Sequence, residues 1–185
     1  MIVINKKLLK MKNIPITLLI LLSFNQIFSQ KNILTNQEYS NIKVDNVLLE
    51  AIIDTNGNES QMQSLFGNIL IVEKGFNDAV EHWIKFNTTN NSLCIEFQNG
   101  ISAGVNIKYD LASIETENDS SSFYIKGKTI TVGSNSSILS NSQVRSYQGK
   151  KMMIFSLEDF DSYIYFNIDP VSNIITKIGY NGNLF

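Results

Sequence analysis

The sequence predicts an α+β protein, mainly antiparallel sheet with two short helices, arranged as two similar helix-plus-β-meander units, behind an N-terminal export signal. Three observations predict it. A lysine-rich leader runs into a short apolar stretch. Most later segments alternate apolar with polar residues, the period of a half-buried strand. Two helix-sized stretches each follow a glycine, Gly57 and Gly133.

The leader comes first. Lys6, Lys7, Lys10 and Lys12 precede an apolar run from Ile14 to Phe24, and no acidic residue occurs before Glu38. The run is about a dozen residues, the size of a signal-peptide core; a membrane-spanning helix needs roughly 20. Ser29 supplies the small residue a signal peptidase needs, which places the cut after Ser29 or Gln30. Met11-Lys12-Asn13 is a natural start for such a signal, of bacterial proportions, and the remainder is expected in the periplasm or outside the cell. No cysteine stands at the junction for a lipid anchor, and no second long apolar run follows, so no membrane span is expected once residues 1–30 are gone.

The chain that remains is acidic. The full sequence has 15 basic and 17 acidic residues and a net charge of −2; four lysines leave with the leader, giving 11 against 17 and a net −6. Arg145 is the lone arginine. Such a surface is a poor match for phosphate backbones, and no nucleic-acid partner is expected.

The elements follow in order. Residues 31–40 read as a polar lead-in. Ile42 to Val44 opens a strand, and Val47 to Ile53 fits a strand or a short helix. Asp54-Thr55-Asn56-Gly57-Asn58 is a turn cluster. Asn58 caps a helix from Glu59 to Phe66, with Met62, Leu65 and Phe66 on one face and Gly67 as its terminator. Strands are expected over Leu70 to Glu73, His82 to Phe86, Leu93 to Phe97 and Val105 to Tyr109. Residues 31–114 form the first expected unit, and 115–122, acidic and without an apolar residue, an exposed linker. The second unit, 123–185, starts with a hairpin across Lys126-Gly127-Lys128. A short helix in Ser134 to Asn141 follows, then strands at Val144 to Tyr147, Met152 to Leu157, Tyr163 to Ile168 and Ile174 to Tyr180.

The halves resemble each other. Leu93 to Phe97 leads into Asn99-Gly100-Ile101-Ser102 and closes on Tyr109. Tyr163 to Phe166 leads into Asp169-Pro170-Val171-Ser172 and closes on Tyr180. The turns are 70 positions apart and the tyrosines 71. Thr131-Val132-Gly133-Ser134 with Ile138-Leu139, and Phe166 to Tyr180, are similar to the tandem units of β-lactamase-inhibitor-protein-like and SmpA/OmlA-like domains. The likeness would cover most of residues 42 to 180. Leu65-Phe66-Gly67 only approximates the helix end usual in those domains, and the second helix is a poor one. The resemblance implies a non-catalytic protein-binding module or an envelope-assembly accessory.

Catalytic patterns are sparse. His82 is the sole histidine and Cys94 the sole cysteine, so a Ser-His-Asp or Cys-His site would have to use His82. One of each is too few for a usual zinc site, and no cofactor or metal is expected. Asp54-x-Asn56-x-Asn58-x-Ser60 starts like a calcium loop. Glu59 and Leu65 then stand where such a loop needs Gly and Glu. Glu158, Asp159 and Asp161 cluster, and with Glu96 they are the carboxylates a hydrolase would use. Trp83 alternates away from His82, Ile84 and Phe86, with Lys85 beside it; exposed aromatics suit recognition of protein or sugar. Trp83 and Lys85 are therefore the candidate binding residues. The expected function is an exported, non-enzymatic binding module for another protein. The alternatives are a secreted hydrolase with a carboxylate site and an envelope-assembly accessory.

Overall fold

A computed structural model describes residues 32–67, 70–77, 81–89, 92–99, 109–147, 149–157 and 161–182. The leader, its expected start at Met11 and its expected cut lie outside them. So do residues 100–108 and 158–160, and with them the first of the two matched turns, Glu158 and Asp159. The described residues belong to one compact unit, Lys31–Phe185.

The described chain opens on strand β1 (Asn32–Leu34) and helix α1 (Asn36–Ser40). Both fall in the segment expected to be a lead-in. Thr35 caps α1 reciprocally with Glu38: the Thr35 hydroxyl accepts the Glu38 amide at 3.1 Å and the Glu38 carboxylate accepts the Thr35 amide at 2.9 Å. Strands β2 (Lys43–Val44) and β3 (Val47–Leu48) turn across Asp45-Asn46, both at positive φ. That is the two-residue connection whose twist suits a hairpin. Helix α2 (Leu49–Asp54) follows directly. Asn58 caps α3 (Glu59–Phe66) by accepting the Gln61 amide at 3.1 Å, Met62 is fully buried, and Gly67 leaves the helix at φ +79°.

Strands β4 (Leu70–Asn77), β5 (Glu81–Thr88), β6 (Cys94–Asn99) and β7 (Tyr109–Thr116) come next. The hairpin of β8 (Ser122–Ile125) and β9 (Lys128–Thr131) turns on Lys126-Gly127, again at positive φ. A single 3-10 turn, Ser136–Leu139, stands where the second helix is expected. The chain then completes β10 (Arg145–Tyr147), β11 (Lys150–Leu157), β12 (Tyr163–Ile168) and β13 (Ile175–Asn181).

The expected α+β class with two short helices needs correction. Among the described residues 53% lie in strands and 18% in helices, there are three α-helices, and the sheets are two. The large one has nine strands in the order β1-β11-β12-β13-β7-β6-β5-β4, with β10 also on β11; β3-β2-β8-β9 form the small one. The large sheet is mixed because β1 runs parallel to β11. The physical reason is patterning. Period-two alternation fills nearly every long segment, whereas Ser134 to Asn141 is serine- and asparagine-rich. Those side chains bond nearby backbone in place of a helix; Asn135 accepts the Ser137 amide at 3.0 Å.

Residues 115–122 hold the end of β7, a turn and the start of β8, and Thr116 and Ser121 are buried. Strands β7 and β13, one from each expected unit, pair antiparallel inside the large sheet. In strand order β4 to β7 mirrors β10 to β13. The register agrees: Ile84 and Phe86 face Phe97 and Ile95, and Met153 and Phe155, 69 positions on, face Phe166 and Ile164.

The small sheet and the helices α2 and α3 contribute to the same core as the large sheet. Phe86, Phe97, Phe155 and Phe166 share one core with Val44, Ile52, Met62, Phe123, Ile130 and Leu139. Each fully buried phenylalanine contributes about 2–3 kcal/mol of transfer free energy. Among the described residues no helix is long and apolar enough to cross a membrane.

Candidate functional site

The side chains that alternate away from the core define the opposite face of the large sheet, on which Ile154 and Ser156 of β11 are buried. Ile84 and Phe86 are buried and Trp83 and Lys85 stand on the other side of β5, half-buried. Lys85 lies 4.9 Å from the centre of the Trp83 ring, a cation–π contact. Across the strands, Glu73 of β4 faces Lys85, and Lys85 faces Glu96 of β6. The Lys85 ammonium is 3.1 Å from the Glu96 carboxylate, which also accepts Gln98 at 2.8 Å.

Trp83 sits across from Gly75. A Cβ at Gly75 would fall 2.6 Å from Cε2 of the indole, so the ring lies over the glycine, towards the outer edge of the sheet. Tyr165 does the same over Gly179 in the middle of the sheet, where a Cβ would be 2.5 Å from Cζ. Its hydroxyl reaches Glu115 of β7 at 2.5 Å, and Lys177 donates to the other Glu115 oxygen at 2.8 Å and pairs with Glu117 at 3.2 Å. Burial pushes the Glu115 carboxyl up, but the hydrogen bonds from Lys177 and Tyr165 outweigh it and hold it below its ordinary 4.5. Burial, then the Glu115 bond, raises the Tyr165 phenol well above its ordinary 10. The hydrogen bond to Glu115 raises the Lys177 ammonium. Tyr163 stands next to Tyr165 at 6.2 Å between ring centres, and its hydroxyl accepts Asn181 at 3.1 Å.

The structure brings Trp83, Lys85 and Glu96 together and adds Glu115, Tyr163, Tyr165 and Lys177 to the same face. Alternation in Tyr163-Ile164-Tyr165-Phe166 carries the signal for the two tyrosines. Glu115 falls in the stretch expected as linker, which hides it.

Cys94 and His82 are not brought together. Cys94 sits across from Asn87, five residues from His82 and on the other face of the sheet. Burial pushes the Cys94 thiol up, away from the thiolate a nucleophile needs. The Asp54 to Ser60 segment is a turn and a cap: the Asn56 amide donates to the Asp54 carbonyl at 2.8 Å, and Asn58 is spent on α3. Among the described residues no three His, Cys, Asp or Glu side chains converge on a metal-sized site. Asp161 is exposed, and its expected partners Glu158 and Asp159 lie outside the described residues.

The chain matches no family model, no curated protein and no solved structure.

Proposed function

We propose that this protein is an exported, non-enzymatic binding module that recognises another protein through the open face of its nine-stranded sheet. One observation carries the reading. On the sheet face turned away from the shared core, Trp83, Tyr163 and Tyr165 stand half-buried among paired charged side chains. Aromatic side chains held on a rigid sheet give large contact area at small entropic cost, the usual make-up of a recognition surface. Lys85 and Trp83 anchor one end of it and Tyr163 the other.

The carboxylates on this face are engaged: Glu96 by Lys85 and Gln98, Glu115 by Lys177 and Tyr165. A glycosidase-type pair needs one carboxyl held protonated, and Glu115 is shifted the other way. This weighs against the hydrolase reading. The likeness of 131–139 and 166–180 to β-lactamase-inhibitor-protein-like and SmpA/OmlA-like domains implies the same binding role, including the envelope-assembly variant. Export rests on the lysine-rich leader, its short apolar run and the small residue Ser29. N-terminal sequencing of the secreted or periplasmic chain should begin at Gln30 or Lys31.

Affinity capture from the native envelope tests the binding reading. The expected result is a partner that is retained by the wild type and by Gln63→Ala on α3, and released by Lys85→Glu and Tyr163→Ala. A partner indifferent to both face variants sinks the proposal. So does a hydrolytic activity abolished by Glu96→Gln.

A further inference from the structure

We infer that the outer edge of β4 accepts an extended segment of another protein as an added strand, selected by a basic side chain opposite Glu73. This surface is the edge of the sheet, not its open face, and the two fail separately.

The two ends of the sheet are built differently. The outer edge of β11 is covered in two pieces: β10 takes Lys150 to Met152, and β1 takes Phe155 to Leu157. Strand β4 pairs with β5 over all eight of its residues without a register break, and no described strand pairs with its other side. That side offers a row of backbone donors and acceptors, which an incoming strand satisfies. The usual guards of such an edge are turned inward. Lys74 is drawn back to Glu59 on α3, and Glu73 accepts Asn87 at 3.2 Å. No proline interrupts the strand.

Charge says what fits. The cross-strand row Glu73–Lys85–Glu96 alternates in sign from the edge inward. Its next place outward, opposite Glu73, therefore favours a cation, because opposite charges directly across strands attract and like charges repel. Ile71, 46% exposed on the same face, favours an apolar neighbour. Gly75 leaves a notch roofed by the Trp83 ring, so a side chain placed opposite Gly75 meets the indole. A second copy of β4 does not meet these demands. Strands that continue the sheet put residues of one face against one face, and no basic residue of β4 lies on this face, because Lys74 points the other way.

The sole tryptophan of the chain is Trp83, so its fluorescence reads this edge directly. The probe is the synthetic peptide Thr-Val-Thr-Lys-Thr-Val-Thr, titrated against the whole protein, with its glutamate-for-lysine counterpart and a version N-methylated on alternate amides. The lysine peptide is expected to shift Trp83 emission and to slow hydrogen exchange of β4 amides. The glutamate peptide should bind about fivefold more weakly, Glu73→Lys should reverse that order, and N-methylation should abolish binding. The inference is overturned if β4 exchange is unchanged by the lysine peptide, if the N-methylated peptide binds equally, or if β4 is protected only by concentration-dependent self-association.

Discussion

The two halves of the large sheet share a core face and differ on the open one. In the first, Phe86 and Phe97 meet edge-to-face at 5.9 Å; in the second, Phe155 and Phe166 do so at 5.7 Å. The register around each pair is the same, 69 positions apart. On the open side the matched residues diverge: the Lys85–Glu96 ion pair corresponds to Ile154 beside Tyr165. Each half also lays an aromatic ring over a glycine, but on a different strand. Tyr165 covers Gly179 in the middle and is tied down by Glu115. Trp83 covers Gly75 at the edge, with Lys85 over it. Packing demands are met alike in both halves, so the differences on the open face are the part free to serve recognition.

The largest effect tests the shared core. Phe97→Ala and Phe166→Ala should each cost about 3–5 kcal/mol and agree within ~1 kcal/mol, read from urea or guanidinium unfolding. A large gap between them would break the equivalence of the halves. Gly179→Ala comes next. Its Cβ collides with a ring enclosed between strands, and overpacking of this kind costs about 1–3 kcal/mol. Gly75→Ala should cost less, under ~1 kcal/mol, because Trp83 at the edge can swing outward; its emission maximum should shift as it does.

Tyr165→Phe sharpens the electrostatic side. Losing one hydrogen bond to a carboxylate should cost about 1–2 kcal/mol at neutral pH. The pH dependence has a definite sign. Glu115 titrates below its ordinary 4.5 in the folded protein, so its stabilisation is present above that value and is lost as pH falls through the depressed one. The variant weakens the depression, so its unfolding midpoint should fall less between pH 5 and about 3 than the wild type's. The smallest effect is Lys85→Met. The ion pair with Glu96 is partly solvated, and its removal should cost under ~1 kcal/mol. A larger loss would mean that the row from Glu73 to Glu96 acts as a unit.

Much of this was readable in the sequence where one period or one cap decided the outcome. Asn58 and Gly67 bracket α3, and alternation in Trp83-Ile84-Lys85-Phe86 assigns each side chain its face. The Lys126-Gly127 turn was legible too, though not that its hairpin belongs to a second sheet, because strand partners are a long-range property. Strand β7 was hidden for a local reason. Its register slips at Ala112, so Leu111 and Ile114 fall out of step, and a bulge of this kind erases alternation. Helix α1 was missed although Thr35 and Glu38 stand at capping-box spacing. Of the open face, Trp83 and Lys85 could be found within one strand. The Glu115–Tyr165–Lys177 cluster could not, since it is assembled from three strands up to 62 residues apart.

Strand β1 carries a consequence for the order of events in the cell. Its Asn32 side chain donates to the Ile154 carbonyl, 122 residues away, and Leu34 is buried in the core. Chains emerge N-terminus first, so the earliest described strand must wait for one made more than a hundred residues later. Until β11 has been synthesised, β1 lacks the strand it pairs with. The large sheet therefore gains β1 only after Phe155–Leu157 have been made.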